Sequence, residues 1–134
     1  MTGSGLATLR ILIVEDHPGM RTIIKQMLKA GGVTKIKEAS DGAEALKCLR
    51  DPLSKPPHLI ISDLHMPELD GIGLCNAIRR DQRLEIRGIP ILILTGEEDE
   101  FVHEVAEQVG AARILTKPVS PADLFECVGQ AVGF

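Results

Sequence analysis

Five residues that could bind a cation or act on a phosphoryl group each follow a short apolar run: Glu15, Asp16, Asp63, Thr95 and Lys117. Carboxylates gathered at one place repel each other, which raises the cost of ionising all of them unless a cation is present. The ligand atoms are all oxygen, with no Cys or paired His nearby, and such a set suits Mg²⁺ and disfavours Zn²⁺. The residue types therefore predict a magnesium site, provided that the fold brings these residues together.

Asp63 can act as a nucleophile toward phosphorus, because carboxylates form covalent aspartyl-phosphate intermediates. Thr95 and Lys117 would then orient the phosphoryl oxygens and neutralise their charge. Phosphoryl transfer depends mainly on such positioning and charge stabilisation. Each motif alone is weak evidence, since any parallel sheet places polar residues where its strands meet solvent. The five residues taken together indicate phosphoryl chemistry.

The elements that must position these residues alternate regularly along the chain. Apolar runs predict five strands, separated by amphipathic helical patterns, at residues 9–14, 33–38, 59–61, 91–94 and 111–116. The strands are continuously apolar rather than alternating, which indicates a parallel sheet covered by helices on both faces. The predicted fold class is α/β, a doubly wound five-stranded parallel sheet. Its functional crevice is expected outside the carboxyl ends of the strands.

The composition describes one soluble domain and excludes several functions. A net charge of −4 removes the general attraction to nucleic acid or to an anionic membrane surface. With 2% aromatic residues and neither Tyr nor Trp, the chain cannot build base-stacking platforms. No run approaches the roughly 18 apolar residues of a membrane span. The three widely spaced cysteines read as reduced, packed thiols of a cytoplasmic protein. Residues 1–8 lack signal-peptide features and are predicted to be a flexible leader before a single domain at 9–134.

Four motifs carry a family resemblance: ILIVED at 11–16, LIISDLHMP at 59–67, ILILTG at 91–96 and TKP at 116–118. In order and spacing they resemble the CheY-like receiver domain of two-component response regulators, from about residue 9 to the end. The resemblance implies a flavodoxin-like sheet with strand order 2-1-3-4-5. It implies that Asp63 is the phosphoacceptor and that Thr95 and Lys117 bind the phosphoryl group. It assigns Mg²⁺, directly or through water, to Glu15, Asp16, Asp63 and the backbone carbonyl of His65. It also implies a cis peptide bond between Lys117 and Pro118.

A receiver accepts its phosphoryl group from a histidine kinase or a histidine phosphotransfer protein and then changes its affinity for a target protein. It catalyses its own phosphorylation and dephosphorylation and is not a turnover enzyme in the ordinary sense. Because the sequence ends directly after its last predicted helix, we expect no DNA-binding output domain. Output would pass through protein contact, or the domain would serve as a relay or phosphate sink. The acidic run at 97–109 is either a surface for a basic target or a solvated helix face.

Two departures from the family pattern stand out. Ile114 occupies the position where receivers usually carry Tyr or Phe, so an aromatic switch coupled to Thr95 cannot operate in its usual form. His65 and Glu97 occupy positions where members of the family tune the lifetime of the phosphoryl group. The four arginines at positions 79, 80, 83 and 87 are predicted to be a solvated helix exit.

Two other classes compete with the receiver. A magnesium phosphatase of the haloacid dehalogenase type also uses an aspartate nucleophile. In that family, however, the nucleophile belongs to a D-x-D motif directly after the first strand. Here the nucleophile follows the third predicted strand and reads Asp63-Leu-His65. The FMN-binding flavodoxins need aromatic side chains around the flavin ring, and this sequence has almost none.

Overall fold

The computed structural model describes residues 3–96 and 100–133, except the side chain of Ser4. Five strands form one sheet: β1 Arg10–Val14, β2 Lys35–Ala39, β3 Leu59–Asp63, β4 Ile91–Thr95 and β5 Arg113–Thr116. All neighbouring strands are parallel, in the order β2-β1-β3-β4-β5. The predicted α/β class and strand order are confirmed.

The helices that connect and cover the strands are α1 Gly3–Thr8, α2 Pro18–Ala30, α3 Gly42–Arg50, α4 Gly71–Arg79, α5 Leu84–Arg87, α6 Glu100–Gln108 and α7 Pro121–Val132. Side chains cap the first turns of four of them. Asp41 accepts a hydrogen bond from the backbone N–H of Glu44, and Ser120 accepts one from that of Asp123, as the sequence predicts. His17 and Asp70 cap α2 and α4 in the same way. None of the helices in the described ranges is long and apolar enough to cross a membrane.

The core consists of two apolar layers, one on each face of the sheet. Alternate residues of β1 contribute to different layers, because successive side chains of a strand point to opposite faces. Leu12 belongs to the layer under α3, α4 and α6, whereas Ile13 belongs to the layer under α2 and α7. Both are at most 1% exposed. Burial on both faces explains why the strands are apolar throughout. Within the cores, Cys75 and Cys127 are buried as predicted.

The described part of the chain begins with a short helix that contacts the domain. Residues 3–8 form α1, and Leu6 packs against the layer under α2 and α7. The hydroxyl of Thr34 donates a hydrogen bond to the carbonyl of Ala7 at 3.0 Å. One apolar side chain and one hydrogen bond thus attach this segment to the domain, and neither follows from its Gly-rich composition.

The position of Arg79 differs from the prediction that the four arginines lie in solvent at the end of a helix. Its guanidinium donates hydrogen bonds to the carbonyls of Arg87, Ile89 and Gly110, at distances of 2.7–3.1 Å. The bonds join the end of α4 to the segments that enter β4 and β5. Arg83, in turn, forms a salt bridge with Asp81 at 3.2 Å and donates to the carbonyl of Leu49. These two arginines connect segments that are distant in the sequence, whereas Arg80 is exposed as predicted.

Candidate functional site

The register of the sheet brings the predicted site residues to one edge. Val14 lies beside Ser62, Asp63 lies beside Leu94, and Thr95 lies beside Thr116. Glu15 follows Val14 and Lys117 follows Thr116, so both come directly after a strand end at this edge. The carboxyl ends of β1, β3, β4 and β5 therefore supply all five of the residues that the sequence singles out.

Three carboxylates lie at the centre of this edge. One oxygen from each of Glu15, Asp16 and Asp63 lies within 4.8 Å of the others, close enough for a shared cation. Glu15 is 1% exposed and Asp63 is 8% exposed, whereas Asp16 is open to solvent. These residues line a cleft of about 470 Å³ together with Lys117 and the first turn of α2. The cluster is buried on the protein side and open on the side from which a ligand would arrive.

Lys117 provides the positive charge of the cluster. Its Nζ lies 2.8 Å from Asp63 Oδ1 and 3.5 Å from Glu15 Oε2. Burial opposes the charged ammonium and is the largest influence on its pKa. The hydrogen bond and charge of Asp63, followed by those of Glu15, outweigh it, so the pKa of Lys117 is raised above its ordinary value. Lys117 is therefore charged at neutral pH and holds one oxygen of Asp63.

Glu15 is held in place from two sides. Its Oε1 accepts a hydrogen bond from the backbone N–H of His17 at 3.1 Å, and its Oε2 faces Lys117. Arg21 donates to the backbone carbonyl of Glu15 at 2.8 Å. Burial raises the pKa of Glu15, and the nearby charge of Asp63 adds to the effect, against the lowering influence of His17 and Lys117. An added cation would relieve this cost of ionising Glu15.

Thr95 and Lys117 are linked through the backbone. The N–H of Lys117 donates to the carbonyl of Thr95 at 2.7 Å. Thr95 is 1% exposed at the end of β4. The Lys117–Pro118 peptide bond is cis, as the resemblance implies. The chain therefore leaves β5 with Lys117 directed to the carboxylates and its backbone tied to the neighbouring strand.

Gly71 is a part of the site that the sequence reading treats only as a turn. A Cβ atom at this position would lie 2.5 Å from the carbonyl oxygen of Asp63 and 3.1 Å from the Cα of Leu64. The N–H of Gly71 donates to the carbonyl of Leu64 at 2.8 Å. Only a glycine allows α4 to begin so close to the backbone that carries Asp63. The Asp-Gly pair after the strand was the available signal.

The other residues named from the sequence lie in several different elements. The side chain of His65 is exposed in the loop after β3. Ile114 in β5 is half-buried and packs against the layer under α3, α4 and α6. Glu100, Glu104 and Glu107 form an exposed acidic face on α6, beside Phe101, which is 69% exposed. Glu97 and the rest of the run at 97–99 lie outside the described residues.

The donor set fits a hard divalent cation. It consists of carboxylate oxygens, with no thiolate or imidazole among the groups that converge within the described residues. Both oxygens of Glu15 already have protein partners, while one oxygen of Asp63 is held by Lys117. Asp16 and the second oxygen of Asp63 are therefore the most available ligands, and Glu15 is better placed to support them.

A doubly wound sheet in this strand order, with acidic residues and a lysine at its carboxyl edge, defines a flavodoxin-like α/β protein with an acidic cluster that could hold a metal ion. Residues 11–129 match the family model of the response regulator receiver domain. The chain belongs to this family, and it is a receiver domain of the two-component type.

Curated relatives agree with this assignment. The chain is 34% identical over 110 residues to a probable chemotaxis protein CheY of Rhizobium etli, covering 82% of this chain and 81% of the relative. It is 36% identical over 115 residues to the alkaline phosphatase synthesis transcriptional regulatory protein PhoP of Bacillus subtilis, covering 86% of this chain. It spans only 45% of the length of that regulator.

A solved structure of a receiver domain has the same fold. The receiver domain of the sensor histidine kinase PA1611 from Pseudomonas aeruginosa PAO1 superposes with a TM-score of 0.78 at 28% identity. The match covers 94% of this chain and 98% of that domain, which was solved with a magnesium ion coordinated in its active-site cleft.

Proposed function

We propose that this receiver is a phosphorylation-dependent switch, in which Asp63 accepts a phosphoryl group from a histidine kinase or a histidine phosphotransfer protein. The observation that carries this proposal is the position of Asp63. Its carboxylate lies 2.8 Å from a lysine ammonium, in a cluster with two further carboxylates, and it is still 8% exposed. It is thus a nucleophile at the mouth of a site with both positive charge and cation ligands.

The residues present account for the transfer step. An oxygen of Asp63 forms the bond to phosphorus while the bond to the donor's imidazole nitrogen breaks and the imidazole keeps the electron pair. Lys117 is charged and already within hydrogen-bond distance of Asp63, so it would bind a phosphoryl oxygen. The hydroxyl of Thr95 would donate to another oxygen. Because the attacking oxygen and two groups that bind phosphoryl oxygens come from this chain, we expect small phosphoryl donors to phosphorylate it without a kinase.

The same cluster would hold Mg²⁺ through Asp16 and Asp63, with Glu15 as a direct or water-mediated ligand and the His65 backbone carbonyl as another. When bound, the ion supplies positive charge that offsets the carboxylates and the incoming phosphoryl oxygens. The magnesium ion in the P. aeruginosa receiver supports this proposal. The raised pKa of Glu15, caused first by burial and further by the charge of Asp63, also supports it, because a bound cation would favour the ionised carboxylate.

The output is a change in affinity for a partner protein, and the receiver does not act as a turnover enzyme. A phosphoryl group adds negative charge beside Thr95 and Lys117, at the ends of β4 and β5. The acidic face of α6 lies next in the chain and is proposed to meet a basic target surface. Ile114 replaces the usual aromatic residue, so the signal must reach that face without an aromatic rotamer change. We place the reaction in the cytoplasm.

A phosphorelay role is a second candidate, since the P. aeruginosa neighbour is itself the receiver of a sensor kinase. In a relay, the phosphoryl group would pass from Asp63 to a histidine of a phosphotransfer protein. Loss of the group to such a protein, without a change in target affinity, would favour the relay over the switch.

The test is phosphorylation by acetyl phosphate with and without Mg²⁺, followed by intact mass. We expect one phosphoryl adduct on the wild type in Mg²⁺, no adduct on Asp63→Asn, and an unchanged adduct on the control Asp123→Asn, whose side chain lies on α7. No adduct on the wild type would refute the proposal. Steady release of phosphate from a small phosphomonoester would favour a phosphatase of the haloacid dehalogenase type instead.

Metal binding is tested separately by titrating Mn²⁺ into ¹⁵N-labelled protein. The paramagnetic ion broadens the amide signals nearest to it, so those around Asp16 and Asp63 should disappear first. Asp16→Ala should abolish this selective broadening, and Asp123→Asn should not affect it. Equal broadening of the two variants would place the ion elsewhere.

A further inference from the structure

A second cleft, which we call the basic groove, lies at the opposite end of the sheet from the carboxylate cluster. The first halves of β1 and β2, the end of α3 and residues 53–57 of the loop at 51–57 form its walls. Its volume is about 420 Å³, within the roughly 300–1,000 Å³ of typical small-molecule sites. Strands rise about 3.3 Å per residue, so the start of β1 lies about 16 Å from Glu15. The groove is therefore independent of the phosphoryl site.

Apolar side chains make up much of the groove wall. Leu12 and Leu49 lie in the core beneath it, at 1% and 4% exposure. Leu53, from the loop at 51–57, also lines the groove, although it is 93% exposed. A leucine left almost wholly in water has apolar surface that a ligand could cover, at about 25 cal/mol for each Å² removed from water.

Four cations surround this apolar surface: Arg10, Lys35, Lys37 and Lys55. No carboxylate is among the residues that line the groove, although the whole sequence has 19 acidic residues against 15 basic ones. None of the four cations forms a salt bridge within residues 3–96 and 100–133. The lining of the groove is thus positive in an acidic protein, with one carboxylate beside it, that of Asp51, which accepts a hydrogen bond from the hydroxyl of Ser54 at 3.4 Å.

Neutral acceptors hold two of these cations in place. The Nζ of Lys37 donates to the hydroxyl of Ser54 at 3.2 Å, and the Nε of Arg10 donates to the carbonyl of Pro56 at 2.9 Å. Both bonds connect a strand to the loop at 51–57 without cancelling charge. The positive field also reaches His58, whose pKa is lowered first by burial and then by the charges of Arg10 and Lys35.

We propose that the basic groove binds a small amphiphilic anion, with its apolar body against the exposed side chain of Leu53 and its acidic group near Lys35 and Lys37. The acidic group is a carboxylate, sulfonate or phosphate, because an ammonium can pair with any of these. Charge complementarity selects an anion over a neutral apolar ligand. The concave shape and volume select a small molecule over an extended peptide.

The experiment compares two fluorescent probes on the full chain. Anilinonaphthalene sulfonate has an aromatic body with one negative group, and phenylnaphthylamine has the same body without it. We expect the sulfonate to bind about tenfold more tightly than the neutral probe, since two ammonium groups lie close to one anion in partial solvent. Equal affinity for the two probes would overturn the proposal.

Matched variants test the position of the charge. Lys35→Gln with Lys37→Gln should weaken binding of the sulfonate about tenfold and leave binding of the neutral probe unchanged. Lys29→Gln with Arg80→Gln removes the same charge outside the groove and should change neither affinity. If both pairs weaken binding alike, the attraction is general and the groove is not the site.

The wild-type protein provides a test that does not depend on how the variants fold. In ¹H–¹⁵N spectra, the sulfonate probe should shift amide signals at residues 10–12, 35–37 and 53–55 most. Asp63→Asn should bind the probe as the wild type does, which separates this site from the phosphoryl site. Largest shifts at 15–20 or near Phe101 would overturn the proposal. So would shifts in the groove that appear with protein concentration alone, because they would assign it to a second copy of this chain.

Discussion

Lys117 is the one ammonium group at a cluster of three carboxylates in the described part of the chain. Its removal should therefore lower the free energy of unfolding. Removing one carboxylate charge or adding a cation should restore part of that stability. The variant Lys117→Met keeps the length and apolar stem of the side chain. It leaves Glu15 and Asp63 buried, at 1% and 8% exposure, without their cation. Breaking a fully buried ion pair costs about 3–5 kcal/mol. Because the Lys117 side chain is 23% exposed, we expect a somewhat smaller loss, about 2–4 kcal/mol.

This loss should respond to both mutation and metal. Glu15→Gln in the Lys117→Met background removes one of the repelling charges and should recover at least half of the stability. Mg²⁺ replaces the missing positive charge, so it should stabilise the variant more than the wild type. At a Mg²⁺ concentration about 100 times Kd, binding adds about 2.7 kcal/mol to the free energy of unfolding. The variant should have the lower Kd for Mg²⁺ and therefore gain more than the wild type at the same concentration. The difference between variant and wild type should therefore narrow in Mg²⁺.

The assay is urea unfolding followed by circular dichroism, in EDTA and then in Mg²⁺, because the chain has no Trp or Tyr to report by fluorescence. In thermal unfolding, the same loss of free energy would lower Tm by about 10 °C for a domain of this size. Lys29→Met, on the exposed end of α2, is the control and should stay within about 0.5 kcal/mol of the wild type. The reasoning is refuted if Lys117→Met behaves as the control does, or if Glu15→Gln fails to rescue it.

Three further predictions follow from the fold and the groove. Arg79→Met should cost about 2–3 kcal/mol of unfolding free energy in urea, because three carbonyls, two of them in part-buried hydrogen bonds, lose a charged donor. Gly71→Ala should cost about 1–3 kcal/mol and shift the amide signal of Asp63, since the new Cβ would meet backbone at 2.5 Å. The pKa of His58, measured by NMR titration, should lie below 6.5. The contribution of neutral His58 to folding stability is therefore fully present above pH 6.5 and is lost as the pH falls through the lowered pKa of the folded state.

Each of these predictions has its control. Arg80→Met removes an exposed arginine next in the chain and should have little effect; an equal loss for both variants would show that Arg79 contributes only charge. Gly88→Ala would make ordinary contact at 3.5 Å and should be tolerated. Lys35→Gln should raise the pKa of His58 toward its ordinary value, whereas Lys29→Gln should not. An unchanged pKa in Lys35→Gln would contradict the positive field of the groove.

The sequence was most informative where one physical rule governs many residues. Continuous apolar strands and regular alternation with helices require a parallel sheet, and such a sheet gathers its strand ends at one edge. The grouping of Glu15, Asp63 and Lys117 was therefore predictable without any coordinates. Their distances were not, because they depend on the register of four strands and on side-chain rotamers.

The remaining differences come from contacts between parts distant in sequence. Arg79 meets Gly110 across 31 residues, and nothing in the run of arginines distinguishes it from Arg80. The helix at 3–8 depends on Leu6 reaching the core, which a Gly-rich composition hides. The basic groove combines residues of two strands, a helix and a loop, none of which forms a motif. Local sequence patterns identify the helices, the strands and the candidate site residues. Long-range packing determines which partners a charged side chain contacts.

The most direct test of the central claim is to locate the phosphoryl group. Borohydride reduces an acyl phosphate on aspartate to homoserine, so peptide mass analysis after treatment with acetyl phosphate and Mg²⁺ identifies the modified residue. We predict homoserine at position 63 alone, dependent on Mg²⁺ and abolished by EDTA. Reduction at position 16, or at several exposed carboxylates alike, would contradict the assignment of Asp63 as the phosphoacceptor.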